Sequence, residues 1–322
     1  MSTDHSSFPP NTVAVKVPST TANLGPGFDV FGLALDLFYD VVKVKLTQEA
    51  LSIEVVGKYA DLVPKRIEEN TAGVVAQFFL EKLDLKGGVH IQMSKGIRPS
   101  IGLGSSAASA AATAVALNRL FDASLSQEEL IQIAARGEVA SAGAAHADNV
   151  AAAMLGGFTI VRPGKPPKVI RLTPPKNLEV SVVIPKTSMP PKKTQMARSI
   201  LPKHVTLRQM VQNISNASTM AAGFLLSDID LIGCCMVDEV VERVRADLIP
   251  CYDEVRRSAL ESGASGVAIS GAGPSMIAIV DSEKSRSLNV AEAMKKAFEA
   301  SHIKAEAYAV KPAEGAKIVE ES

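Results

Sequence analysis

Gly102-Leu103-Gly104-Ser105-Ser106 runs directly into Ala107-Ala108-Ser109-Ala110-Ala111-Ala112. This is a glycine turn feeding a helix of small side chains. Glycine lets a backbone approach a ligand closely and take angles that other residues avoid. The first turn of a helix leaves N–H groups without intrahelical partners. Those donors and the helix dipole together make an anion site, usually for phosphate. Two serines add hydroxyls for phosphate oxygens or for a phosphate-bound Mg²⁺. The stretch predicts a nucleotide triphosphate cradle, with its helix over residues 103–121.

The chain around it has an ordinary globular balance. Of 322 residues, 47% are hydrophobic and 21% charged, enough for a full core and two domains. Lys+Arg 34 equals Asp+Glu 34, so no charge excess points to nucleic acid or to a membrane surface. Aromatics at 4%, with no Trp, speak against base-stacking platforms. No run approaches a membrane span. Cys234, Cys235 and Cys251 show neither metal spacing nor a disulfide framework. A reducing cytoplasmic setting follows as the expectation. Residues 1–11 are polar and proline-bearing, and read as a disordered tail, not a signal peptide.

A strand is expected over residues 13–17, ended by Pro18, with a polar loop over 19–29. Paired strands are expected at 41–46 and 51–56, a helix at 70–83 and a strand at 89–93. Ser126 and Glu129 fit a capping box for the next helix. Arg162-Pro163-Gly164-Lys165-Pro166-Pro167 is the clearest shift of composition and marks a domain boundary. The expected domains are 12–162 and 163–322. In the second half, strands at 180–184, 266–270, 276–280 and 305–310 alternate with helices, one of them over 228–244. Strands in both halves with helices on one side predict an α+β fold.

Several phosphate loops are excluded. Neither glycine cluster carries the lysine that Walker A needs. The protein-kinase triplets HRD and DFG are missing. Gly102-x-Gly104-x-x-Ala107 does fit the alanine-ended dinucleotide fingerprint, with Asp122 about twenty residues on. Yet Asp122 follows the helix directly instead of a second strand, and residues 95–101 separate the loop from the preceding strand. A helix entry with packing glycines is the plainer rival.

Two further stretches decide between these readings. Pro18-Ser19-Thr20-Thr21-Ala22-Asn23-Leu24-Gly25-Pro26-Gly27-Phe28-Asp29 precedes the glycine turn, and Ser270-Gly271-Ala272-Gly273-Pro274-Ser275 follows it. In this order the three stretches resemble the motifs of the GHMP kinases, which include galactokinase, homoserine kinase and mevalonate kinase. The resemblance runs from about Val13 to Pro312. The Asn-Leu-Gly-x-Gly-Phe-Asp form at 23–29 resembles the homoserine kinase branch. It implies a two-domain α+β GHMP kinase fold with mixed and antiparallel sheets. The N-terminal domain would be ribosomal protein S5 domain 2-like and the C-terminal domain ferredoxin-like. It further implies transfer of phosphate from ATP to the side-chain hydroxyl of L-homoserine, giving O-phospho-L-homoserine for threonine biosynthesis.

Residue roles follow from the resemblance. Ser106 and Glu138 would hold Mg²⁺, and Ser105 would contact phosphate. The ATP loop comprises Arg98, Pro99, Ser100, Ile101, Gly102, Leu103, Gly104, Ser105, Ser106, Ala107 and Ala108. Asn70 would stand near adenine, although Asn at a helix entry is equally a cap. Lys95 and Arg98 flank the loop and offer charge for phosphates. Asn23, Asp29, His146 and Asn149 would contact the amino acid. Asp29 suits an ammonium group and an amide suits a hydroxyl. A carboxylate suits a guanidinium fork. Arg198, in Thr194-Gln195-Met196-Ala197-Arg198, is one candidate; Arg245 is the other, with Arg243 close enough to compete. Gly271 lets the third loop approach the substrate.

With Asp29 assigned to the ammonium, no clear general base remains. The expected mechanism is direct in-line transfer, in which positioning and charge dominate. Asn149, Glu138 and Ser106 would form the catalytic set. Two residues depart from the pattern: Ile101, where small residues are common, and Cys251, where glycine is common. Cys251 reads as structural, because no histidine partners it in the motifs. Another acceptor, such as shikimate or an isoprenoid intermediate, is the second enzymatic reading. A nucleotide-binding sensor without turnover is the third. A homodimer is expected from the family, with no nucleic-acid or membrane partner.

Overall fold

A computed structural model describes residues 10–85, 87–142, 146–187 and 193–322. The first nine residues of the expected tail lie outside them, and Thr12 already belongs to a strand. The first half contains β1 (Thr12–Asn23), β2 (Gly27–Thr47), β3 (Ser52–Val56), α1 (Thr71–Lys82), β4 (Gly88–Ser94), α2 (Ser105–Leu120), α3 (Gln127–Ala142), α4 (Asp148–Leu155), β5 (Phe158–Arg162) and β6 (Lys168–Leu172). The second contains β7 (Leu178–Pro185), α5 (Lys193–Ser199), α6 (Leu207–Leu226), α7 (Ile229–Cys234), α8 (Val241–Arg245), α9 (Tyr252–Glu261), β8 (Gly266–Ile269), β9 (Met276–Asp281), α10 (Ser287–Ala300), β10 (Ala305–Val310) and β11 (Lys317–Glu321).

The first sheet has strand order β11-β1-β2-β4-β3, with β5 pairing β2 and β6 pairing β5. β3 and β4 run parallel; the other pairs are antiparallel. The second sheet is antiparallel, in the order β10-β7-β9-β8. Mixed and antiparallel sheets with helices are the α+β architecture that the sequence implied.

Pro18 does not end β1. The register shifts between Pro18 and Ser19, so that Pro18 faces Tyr39 and Ser19 faces Leu35. A bulge is one of the few places where a sheet tolerates proline. The strand therefore carries on to Asn23, and β2 begins at Gly27. Most of the expected polar loop is a strand end and a tight connection.

The proline-rich stretch 163–167 is the turn of the β5–β6 hairpin, in which Arg162 faces Lys168. The first sheet thus continues to Leu172. β11 returns from the end of the chain to pair with β1. The helix expected over 228–244 is interrupted: the Asp238 carboxylate accepts the N–H groups of Val240, Val241 and Glu242 and starts α8 afresh.

The helix α2 lies in the middle of the first half. Twelve of its residues, from Ser105 to Leu120, are buried. It packs against β1, β2, α1, α3 and α4 at once. Alanine makes this possible, because small side chains let several elements approach one axis. The second sheet divides its side chains by strand alternation. Val180, Val182, Ile184, Ile277 and Ile279 join the core of the first half. Val183, Met276, Ala278 and Val280 face the core that includes Val255 of α9 and Val290, Met294 and Phe298 of α10. One apolar core thus links both sheets. Among the described residues, no helix is long and apolar enough to cross a membrane.

Candidate functional site

The three glycine-bearing stretches meet where β1 ends. Thr20 N–H donates to Leu103 O, and Gly271 N–H donates to Ala22 O. The Ser270 hydroxyl lies 2.7 Å from Gly102 O and 2.8 Å from Thr21 Oγ1. Gly102 has φ +88°, and a Cβ there would run into Ser270 O and Gly273 O. Only glycine permits that approach. Gly104 has φ +66°, and a Cβ there would overlap Thr20 Oγ1.

Gly104 is also the residue before α2, and no side chain caps this helix N-terminus. Its first N–H donors remain for a ligand. Ser106 Oγ donates to Glu138 Oε2 at 3.1 Å. Burial pushes the Glu138 carboxyl up to about 7, although the Ser106 hydrogen bond opposes the shift. A carboxylate and a hydroxyl placed together beside a phosphate-binding helix end fit Mg²⁺, which takes few protein ligands and completes its shell with water and phosphates.

Ser105 has a different role from Ser106. Its hydroxyl donates to Ile97 O at 2.9 Å and locks the loop's lead-in. With the hydroxyl engaged there, the backbone N–H is the Ser105 donor left for a ligand. Lys95, expected beside phosphates, is buried beneath the loop. Its ammonium pairs with Asp40 and donates to Ser105 O (3.0 Å) and Ser109 Oγ (2.9 Å). Asp40 in turn accepts the N–H groups of Gly96 and Ile97, each at 3.0 Å. This buried network braces the first turn of α2 from below.

A second group of side chains faces the loop. Asp29, at φ +58°, pairs with Arg198. Arg198 Nη2 also donates to His146 Nδ1 at 3.0 Å. The His146 proton then sits on Nε2, and burial, against the opposing pull of Asp29, lowers the ring's pKa and favours the neutral form. Arg245 is buried; it donates to Ala197 O (3.3 Å) and Gly271 O (3.1 Å). Both guanidinium groups lie over the Phe28 ring, at 5.1 and 5.2 Å from its centroid. Arg243 points elsewhere, pairing with Glu239 at an exposed site. Asn23 donates to Gly271 O at 2.9 Å and accepts Asp29 N–H at 3.2 Å. Thr20 Oγ1 donates to Asn149 Oδ1 at 2.8 Å, leaving the amide nitrogen to donate.

Both groups line one cavity of about 300 Å³. It collects Asn23, Asp29, Asn70, Glu138, His146, Asn149, Arg198, Arg245 and Gly271, and from the loop Arg98, Pro99, Ser100, Gly102, Leu103, Gly104, Ser105, Ser106 and Ala107. Ile101 and Ala108 are not brought to it; both are buried in the apolar core. The β-branched Ile101 is accommodated because it points inward. Asn70 is fully engaged as a cap, accepting from Ala72 N–H and Gly73 N–H and donating to Pro64 O. It shapes the wall that contains Leu62, Val63 and Pro64.

Four lining residues carry chemistry that sequence reasoning did not assign. Phe28 is the platform beneath both arginines. Asp148 is buried, accepts Asn149 N–H at 2.8 Å, and is pushed up to about 6 by burial and by Asp29. Lys193 and Thr194 stand at the start of α5, one turn before Arg198. The available signal was their place at the head of the Arg198 segment, Thr194 as its first residue and Lys193 just before it.

Comparison with known proteins bears on the family. Residues 70–157 match the model of the GHMP kinases N terminal domain, and residues 220–300 that of the GHMP kinases C terminal. A homoserine kinase of Methanocella arvoryzae is 45% identical over 309 residues, 96% of this chain and 98% of that protein. A homoserine kinase of Methanococcus maripaludis is 44% identical over 272 residues, 84% of this chain and 88% of that protein. The crystal structure of homoserine kinase from Cytophaga hutchinsonii superposes with a TM-score of 0.89 at 36% identity, covering 97% of this chain and 99% of that one. With identity of this order over nearly the whole chain, and with both halves matched, the chain belongs to the GHMP kinase family, among the homoserine kinases.

Proposed function

We propose that this kinase transfers the γ-phosphoryl group of ATP directly to the side-chain hydroxyl of L-homoserine. One observation carries the reading: a single cavity joins the open N-terminus of α2 to a cluster holding a carboxylate and two guanidinium groups. The first suits a triphosphate and the second suits a free amino acid. Asp29 would take the ammonium group, and Arg198 and Arg245 the carboxylate. Because Asp29 and Arg198 are already paired, substrate would insert into that pair and share both partners. Asn149, its carbonyl held by Thr20, would donate to the hydroxyl oxygen and aim it at phosphorus.

Ser106 and Glu138 would hold Mg²⁺, which when bound supplies charge against the phosphate oxygens. The α2 amides stabilise the equatorial oxygens of the transferring group. As phosphorus bonds to the hydroxyl oxygen, its bond to the β,γ-bridging oxygen breaks. The hydroxyl proton leaves to a phosphate oxygen or to water, so Asn149 need not act as a base. A cytoplasmic homodimer belongs to the same reading; it is carried by the resemblance alone and is read by sedimentation.

An acceptor panel tests the proposal. ADP release from Mg-ATP is measured with L-homoserine, shikimate or mevalonate added. Release with L-homoserine alone supports it. Release with another acceptor, or no release with any of them, replaces it by one of the two rival readings.

A further inference from the structure

The second half contributes a charged group to the cavity that the mechanism above does not use. Lys193 opens α5 and is buried. Its ammonium donates to Ser100 O at 3.1 Å, in the lead-in to the phosphate loop. That carbonyl is neutral, and among the described residues no carboxylate pairs with Lys193. The nearby charge that acts on it is Arg245, of the same sign. Burial and Arg245 together lower its pKa to about 7.

A buried cation without a counter-charge is costly to a fold. Strongly perturbed buried groups of this kind cluster at functional sites. Lys95 has Asp40 and Arg198 has Asp29, whereas among the described residues Lys193 and Arg245 donate only to backbone carbonyls, so two buried cations face the cavity without a carboxylate partner. Lys193 stands between the phosphate loop, which it touches at Ser100, and Arg198, which follows on the same helix. All three line the cavity in which the proposed transfer would take place. A lysine suits it, since ammonium acts on phosphate as a point charge that needs no fixed fork.

We infer that Lys193 is a catalytic residue whose ammonium contacts the γ-phosphoryl group as it passes from ATP to the acceptor hydroxyl. It carries charge only. It neither gives nor takes a proton, and the bonds made and broken are those of the transfer itself. The inference rests on the proposed reaction for its kinetic readout, but its binding readout does not.

The test uses the full chain carrying Lys193→Met, with Lys193→Arg as a second variant. Turnover is measured at saturating Mg-ATP and L-homoserine, and calorimetry compares ADP with the β,γ-methylene analogue of ATP. Lys193→Met is expected to lower kcat about 100-fold, the scale of losing one charge-stabilising donor, with KM for homoserine changed less than about threefold. Affinity for the ATP analogue falls about tenfold while that for ADP holds, because only the former presents a γ-phosphoryl group. The melting temperature holds or rises, and Lys193→Arg recovers much of kcat. Unchanged kcat overturns the inference. So does a rise in homoserine KM alone, which would make Lys193 a carboxylate contact. Equal loss of analogue and ADP with a lower melting temperature also overturns it, leaving Lys193 as a mere anchor for Ser100. If the unsubstituted chain shows no homoserine-dependent turnover, the proposed reaction fails, and the analogue-against-ADP comparison still decides the role of Lys193.

Discussion

The Thr20 hydroxyl donates to the Asn149 carbonyl oxygen at 2.8 Å, across 129 residues of chain. This bond turns the amide so that its nitrogen donates, and a donor can orient a hydroxyl but cannot deprotonate it. Thr20→Val keeps the side-chain shape and removes the bond. We expect kcat to fall about tenfold, the worth of one well-placed hydrogen bond, with little change in ATP affinity. Steady-state kinetics with each substrate varied checks this. An unchanged kcat would mean that Asn149 is aimed by something else.

Asp29 and Arg198 form the other relationship on which the site depends. Arg198→Lys keeps the charge but loses the planar guanidinium whose Nη2 reaches both Asp29 and His146. Its expected effect is a rise of about thirtyfold in KM for homoserine, the range of one charge-assisted hydrogen bond, at near-constant KM for ATP. Arg243→Lys serves as the control, since Arg243 pairs with exposed Glu239 away from the cavity. Equal effects at the two arginines would contradict the assignment.

Glu138→Gln removes the carboxylate from the Ser106 pair while keeping its shape. The expected loss in turnover is about 100-fold or more at low Mg²⁺. Raising Mg²⁺ should restore part of it, whereas raising homoserine should not. A magnesium titration of ADP release distinguishes the two. Full activity at every magnesium concentration would remove Glu138 and Ser106 from the metal site.

Lys95→Met leaves Asp40 buried and without its partner ammonium. Breaking such a pair costs about 3–5 kcal/mol. Denaturant unfolding should show that loss. Since the pair braces the first turn of α2, nucleotide affinity should fall with stability. A loss of nucleotide affinity at wild-type stability would return Lys95 to the phosphate-contact role that its sequence position suggests.

Those four positions also mark what was legible in the sequence. Gly102 to Ser106 could be read because a glycine turn and an uncapped helix end are local chemistry. Glu138, Asp29 and Arg198 came from motifs, and the cavity gathers them. The Lys95–Asp40 and Thr20–Asn149 bonds join residues 55 and 129 positions apart, and no local pattern predicts such pairs. Pro18 misled because proline ends strands unless a bulge receives it, and the bulge depends on the partner strand. β11 escaped because every one of its five residues is exposed, so it carries no alternation. Its backbone pairing with β1 places it, and charge pairs tie it to β2 and α2, Lys43 with Glu320 and Arg119 with Glu321.

The most direct test of the central claim is the identity of the product. The chain is incubated with Mg-ATP and L-homoserine, and proton-coupled ³¹P NMR follows the new phosphorus signal. The account predicts one phosphate monoester, split by the two protons of the carbon bearing the side-chain oxygen, in amount equal to the ADP formed. An uncoupled inorganic phosphate signal matching the ADP, or phosphorylation on the carboxylate, would contradict it.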